Sequence, residues 1–136
     1  MNVSSFAIQS NASDRELVFL HPRRDHFVAE LRGANLGATR EVCTYTDANG
    51  LSRYFARLAA YKRPWDKVER WESLEGEFCI AAACSPLGEV GFVIRIRNHL
   101  GGPEEWDVSV GLVTELGQLP GIASRAEPFF DVVAGD

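Results

Sequence analysis

Three runs of period-two hydrophobicity follow one another between Phe78 and Leu112, and they constrain the fold more than anything else in the chain. Phe78, Ile80 and Ala82 alternate with Cys79, Ala81 and Ala83. Val90, Phe92, Ile94 and Ile96 form an apolar file, with Arg95 and Arg97 on the opposite one. Trp106, Val108, Val110 and Leu112 make the third. Successive side chains of a strand point to opposite faces, so each run is a strand with one face available to a core. Pro86-Leu87-Gly88 is a turn and His99 to Pro103 a loop, both too short for a crossover helix. The strands Phe78–Cys84, Glu89–Arg97 and Trp106–Leu112 are therefore expected to be antiparallel neighbours. Both faces of the first are apolar, which predicts a central strand covered on both sides.

Leu51, Phe55 and Leu58 recur at helical spacing, with Tyr54 and Tyr61 on a flanking stripe and Arg53 and Arg57 turned away. Asp47 or Asn49 can cap this helix, and Lys62 and Arg63 suit its negative end. Pro64 stops it, giving a helix over 51–62. A second helix is expected over 119–130. Pro120 sits in its first turn, and Leu119, Ile122, Ala123 and Ala126 form a stripe that Phe129 and Phe130 extend. Pro128 weakens or bends its end. Upstream, Phe6–Ser10, Glu16–His21, Phe27–Leu31 and Arg40–Tyr45 read as strands, separated by the breakers Asn11–Asp14, His21–Asp25 and Gly33–Gly37. Asp66-Lys67-Val68-Glu69 has capping-box spacing, compatible with a short helical turn. The whole reads as one α+β domain over residues 1–136. Its expected form is an antiparallel sheet of about six to seven strands with two helices packed on it.

The net charge of −5 disfavours nucleic acid and anionic membrane surfaces, which attract positive fields. No apolar run approaches the ~20 residues of a membrane span. Met1–Ser10 has neither the basic nor the apolar region of a signal peptide, so the expected compartment is the cytoplasm. Cys43, Cys79 and Cys84 are an odd number in apolar or strand-like stretches, expected as free buried thiols with no disulfide. His21 and His26 bracket a turn with no third ligand nearby, and His99 stands in a Gly-rich loop, so no metal site is assigned. Gly101-Gly102-Pro103 lacks the Lys and the following helix of a phosphate loop. No family signature surrounds Cys43. No catalytic residue and no cofactor are assigned. Enzyme activity stays open, with the non-catalytic reading preferred.

Several segments carry a likeness. They are Tyr54-Phe55-x-x-Leu58-Ala59, Trp65, the run Trp71-Glu72-Ser73-Leu74-Glu75-Gly76-Glu77-Phe78, Gly88-Glu89-Val90, and the closing pair Phe129-Phe130. From Phe55 onward the chain resembles an uncharacterised bacterial family, domain of unknown function 6228, frequent in actinomycetes. The resemblance implies the fold just read and supplies no activity. The family pattern has an Asp before the turn and opens the next strand with Gly-His-Val. Here the turn is Ser85-Pro86-Leu87-Gly88, and Glu89 stands in the place of His. Any chemistry of that His would be missing from this chain.

Two groups of residues are candidates for recognition. Trp65, Trp71, Glu72 and Glu75, close in sequence, would make a partner-binding patch in which rings supply apolar area and carboxylates orient a basic protein. Glu77 belongs to the same run of acids, and paired carboxylates can also do acid–base work. The structural alternative is that the tryptophans are core and Glu75-Gly76 a turn. Arg95 and Arg97 would bind an anion, or else lie on a solvated face and pair across strands with Asp107. Two functions are carried forward. One is a non-catalytic protein-binding module, for instance of the bacterial immunity type, with a basic protein partner. The alternative is a small-ligand-binding domain or cryptic enzyme with a pocket between sheet and helices.

Overall fold

The alternation becomes eight strands in two sheets. In the computed structural model, which describes residues 4–99 and 101–135, four strands run in chain order in each sheet. Met1–Val3 of the N-terminal segment and Leu100 of the 99–103 loop lie outside the described residues. The first sheet holds β1 (Ser5–Gln9), β2 (Glu16–Arg23), β3 (His26–Gly33) and β4 (Leu36–Cys43). The second holds β5 (Glu69–Glu72), β6 (Phe78–Cys84), β7 (Glu89–Asn98) and β8 (Trp106–Glu115). Every pairing is antiparallel between sequence neighbours, so both sheets are meanders. α1 (Gly50–Ala59) joins the sheets, and α2 (Leu119–Val133) follows a 3-10 turn at Leu116–Gln118.

This corrects the expectation of one sheet of six to seven strands. The long segment between β4 and β5 carries a helix that packs on the core, so those two strands do not meet and the ladder breaks there. Period two marks a strand but not where a ladder ends. The helical turn entertained at Asp66–Glu69 is also replaced. Glu69 opens β5, whose register sets Glu69 against Ala82 and Trp71 against Ile80. Capping-box spacing has no force without an apolar helical stripe behind it.

β6 is central in its sheet but covered on one side only. Phe78, Ile80 and Ala82 are buried, whereas Cys79 and Ala81 are partly exposed and Ala83 is exposed. Small side chains lose little by facing water. All three cysteines are free and partly exposed, not buried as expected.

The inner faces of both sheets and the apolar faces of both helices form one core cluster. Leu58, Ile80, Phe92, Ile94 and Val110 all belong to it, as their spacing predicts. Phenylalanines hold the two sheets together: the Phe78 ring lies 6.1 Å from Phe19 and 5.9 Å from Phe27. From α2, Phe130 meets Phe27 at 5.5 Å and Phe129 meets Phe19 at 6.1 Å. α1 buries Leu51, Tyr54, Phe55 and Leu58. Among the described residues no helix is long and apolar enough to cross a membrane.

Candidate functional site

Two loops meet at one end of the second sheet: the segment from β4 into α1, and the turn between β5 and β6. The turn closes with Gly76 N–H donating to the Ser73 carbonyl at 2.9 Å, and Gly76 adopts a φ of 74°. Glu77 leaves it pointing inward and is buried. Its carboxylate accepts from the Ser73 hydroxyl and, at 3.1 Å, from the Cys43 main-chain N–H. A buried carboxylate is thus satisfied by hydrogen bonds that sew the two loops together.

Trp71 makes the second stitch. Its Nε1–H donates to Asp47 Oδ2 at 3.0 Å while the ring stays partly exposed. The first residue of α1, Gly50, sits directly on this bond. A Cβ there would lie 2.1 Å from Asp47 Oδ2 and 2.3 Å from Trp71 Nε1. Asp47 also pairs with Arg53, so it is spent on the indole and the guanidinium and gives α1 no cap. Asn49 occupies the cap position without a side-chain bond.

Glu72 is exposed and stands 3.8 Å from the Arg97 guanidinium. Arg97 Nε–H donates to the Gly76 carbonyl at 2.8 Å. A Cβ on Gly76 would come within 2.8 Å of Arg97 Nη2 and 2.9 Å of Glu72 Oε2, so this close approach also requires glycine. Glu75 is exposed at the turn tip beside Leu74, which is 67% exposed; Tyr45, on the facing loop, is 71% exposed.

Of the residues read as a patch, the structure brings Trp71, Glu72 and Glu75 to one end. Trp65 does not join them. It is buried and stacks on Tyr61 with ring centroids 4.5 Å apart, because Pro64 turns the chain back over the end of α1. Leu74, Tyr45 and Asp47 were missed. The available signal was Leu74 itself, a large apolar residue at a turn tip where no core face exists.

Arg95 faces Asp107, with Nε–H donating to Oδ1 at 2.9 Å. The pair is diagonal, since the register sets Arg97 opposite Asp107 and Arg95 opposite Ser109. The bond holds the Asp107 carboxyl low and pushes the Arg95 guanidinium up. Both arginines proposed for an anion are thus engaged within the protein, Arg95 across strands and Arg97 on the turn. Beside them lies a cleft of about 250 Å³ lined by Arg97, Asn98, His99, Glu105, Trp106 and Asp107.

A second buried carboxylate, Glu69, ties β5 to α1. It accepts from the Tyr61 hydroxyl at 2.6 Å and from Arg57 Nε at 3.2 Å, while the Tyr54 hydroxyl donates to its carbonyl at 3.0 Å. The Tyr61 bond, above all, holds the Glu69 carboxyl low against the opposing effect of burial. The same bond raises the Tyr61 phenol, and burial raises that of Tyr54. Among the described residues no group of three or more His, Cys, Asp or Glu is placed to hold a metal. The Asp47 and Glu77 carboxylates that converge at the loop end are bonded to the protein's own indole, guanidinium, hydroxyl and main chain, whereas the buried Thr44 hydroxyl has no partner among the described residues. Those carboxylates orient a surface.

Two antiparallel meanders sharing an aromatic core with two helices define an α+β protein with an organised loop end. The chain belongs to the family of unknown function DUF6228, whose pattern matches residues 9–133. No curated protein and no solved structure gives a significant match.

Proposed function

We propose that this protein is a non-catalytic protein-binding module of the bacterial immunity type. It acts in the cytoplasm and takes a basic protein partner at the surface formed by Tyr45, Trp71, Glu72, Leu74 and Glu75. The observation that carries the reading is the locked Trp71. Its indole is fixed by Asp47, with Gly50 seated on the bond, while part of the ring faces solvent. An aromatic held in place before binding loses little entropy on contact, the property of interface anchors. Tyr45 and Leu74 add exposed apolar area, and Glu72 and Glu75 supply the charge that steers a basic partner. The net charge of −5 acts in the same direction at longer range. A ligand pocket between sheet and helices has less support, since rings from both sheets and α2 occupy that space.

Co-expression with the products of neighbouring genes tests the reading. The wild type should retain a basic protein that the Glu72→Lys/Glu75→Lys variant binds at least about tenfold more weakly, a modest loss for charge reversal at an interface. A folded double variant that keeps every partner at unchanged affinity would remove the surface from consideration.

A further inference from the structure

The outer edge of β8 is used along half its length and open along the other half. The register pairs Trp106, Val108, Val110, Leu112 and Thr114 with β7 residues Asn98, Ile96, Ile94, Phe92 and Val90. Arg97 turns its main chain the other way, its N–H donating to the Glu77 carbonyl. By the alternation of an antiparallel ladder, the main-chain groups of Asp107, Ser109, Gly111 and Val113 therefore point out of the sheet. The loop after β1 takes two of these residues. Asn11 N–H donates to the Val113 carbonyl at 2.7 Å, Val113 N–H donates to the Ser10 hydroxyl at 3.1 Å, and Arg15 Nη1 reaches the Gly111 carbonyl at 3.3 Å. Among the described residues, nothing meets the main-chain groups of Asp107 and Ser109.

The open half has the features of a template rather than of a blunted edge. It carries no Pro or Lys, and its pairing with β7 is unbroken from Trp106 to Glu115. Under it lies a cleft of about 260 Å³ lined by Gly37 and Ala38 of β4 and by Trp106 and Val108 of β8. Trp106 and Val108 are only partly buried, whereas Val110 and Leu112 further along the same face are buried. The core is thus unfinished just where the edge is free.

We infer that the Asp107–Ser109 edge of β8 receives an extended segment of a partner protein as an added strand. The segment bonds the outward main-chain groups of Asp107 and Ser109 and sets one apolar side chain on Trp106, Val108 and Ala38. On the adjoining half Asn11 already makes one main-chain bond to this edge, at the Val113 carbonyl, and an added strand would extend that contact along the open half. This surface is separate from the loop end discussed above and does not depend on it.

Amide hydrogen exchange and peptide selection test the inference together. In the free protein the Asp107 and Ser109 amides should exchange fast, while Val108 and Val110, bonded to β7, are protected. Short random linear peptides displayed on phage should yield binders with an apolar residue in an extended context. Those peptides should protect the Asp107 and Ser109 amides. They should bind Ser109→Pro about tenfold more weakly, because the variant removes an outward donor and leaves the β7 ladder intact. Ala38→Phe, on the inward file of β4 that lines the cleft, fills it and should weaken binding similarly; it decides the matter if Ser109→Pro does not fold. The inference is overturned if those two amides are already protected in the free protein, or become so with rising concentration, which would mark a second copy of the chain. It is equally overturned if no peptide is selected, if peptides perturb other residues only, or if folded variants bind as the wild type does.

Discussion

Gly50 shows how one missing side chain can organise a surface. Its Cα lies against the Trp71–Asp47 hydrogen bond so closely that a methyl group has no room. Gly50→Ala should therefore push the indole off its acceptor and cost about 1–3 kcal/mol, the range for overpacking a tight site. Asp47→Ala removes the acceptor without adding bulk and should cost about 1 kcal/mol, the usual net worth of such a bond. Urea titration measures both costs, and tryptophan emission should move to longer wavelength as the ring is freed. A fully stable Gly50→Ala variant with unchanged emission would mean that the ring is not locked there. Nothing in the sequence pairs Asp47 with Trp71, because they are 24 positions apart with a helix between them. What is legible is only that Asp47 stands before a helix, and capping is the ordinary use of such a residue.

At the scale of elements, the tie between α1 and β5 has a signature in pH. Glu69 has a lowered folded pKa, so its contribution is complete above the unfolded value of about 4.3 and is lost as pH falls through the folded one. Tyr54 and Tyr61 have raised folded pKa values. Their contribution is complete below the unfolded value of about 10 and is lost as pH rises from there through the folded values. Stability should thus fall on both limbs. Glu69→Gln should flatten the acid limb, and Tyr54→Phe the alkaline one, in urea midpoints measured at acidic, neutral and alkaline pH. An acid limb unchanged by Glu69→Gln would assign that loss to other carboxylates. The two ends of this tie were unequally legible. Leu51, Phe55 and Leu58 specify α1 by spacing alone, and the helix is there. β5 has only four residues, and its sequence, Glu69-Arg70-Trp71-Glu72, offers one large apolar side chain. Its strand form comes from pairing with β6, a tertiary cause that local pattern does not contain.

The whole molecule is held by a core to which both sheets contribute, and this bears on how it unfolds. Phe19 belongs to the first sheet and Phe92 to the second, and both are fully buried in the same cluster. Either residue changed to Ala should cost about 3–5 kcal/mol. All three tryptophans lie in or next to the second sheet, so fluorescence reports mainly that half. Phe19→Ala should nonetheless shift the fluorescence-detected transition as far as the one seen by circular dichroism, since a shared core melts in one step. Separated transitions would show two weakly coupled halves. The three hairpin-connected strands were legible because their partners are sequence neighbours. The division into two sheets was not, because it depends on where α1 packs.

Pairing in chain order also shapes how the molecule is made. Each strand of either meander can close on its predecessor as soon as both are synthesised, at a small loop-closure cost. Phe129 and Phe130 sit on α2, which follows every strand in the chain, yet their rings pack on Phe19 and Phe27 near its beginning. While a ribosome still holds α2, the first sheet has its ladder but lacks those aromatic neighbours. Its inner face stays half-finished until release of the helix closes it.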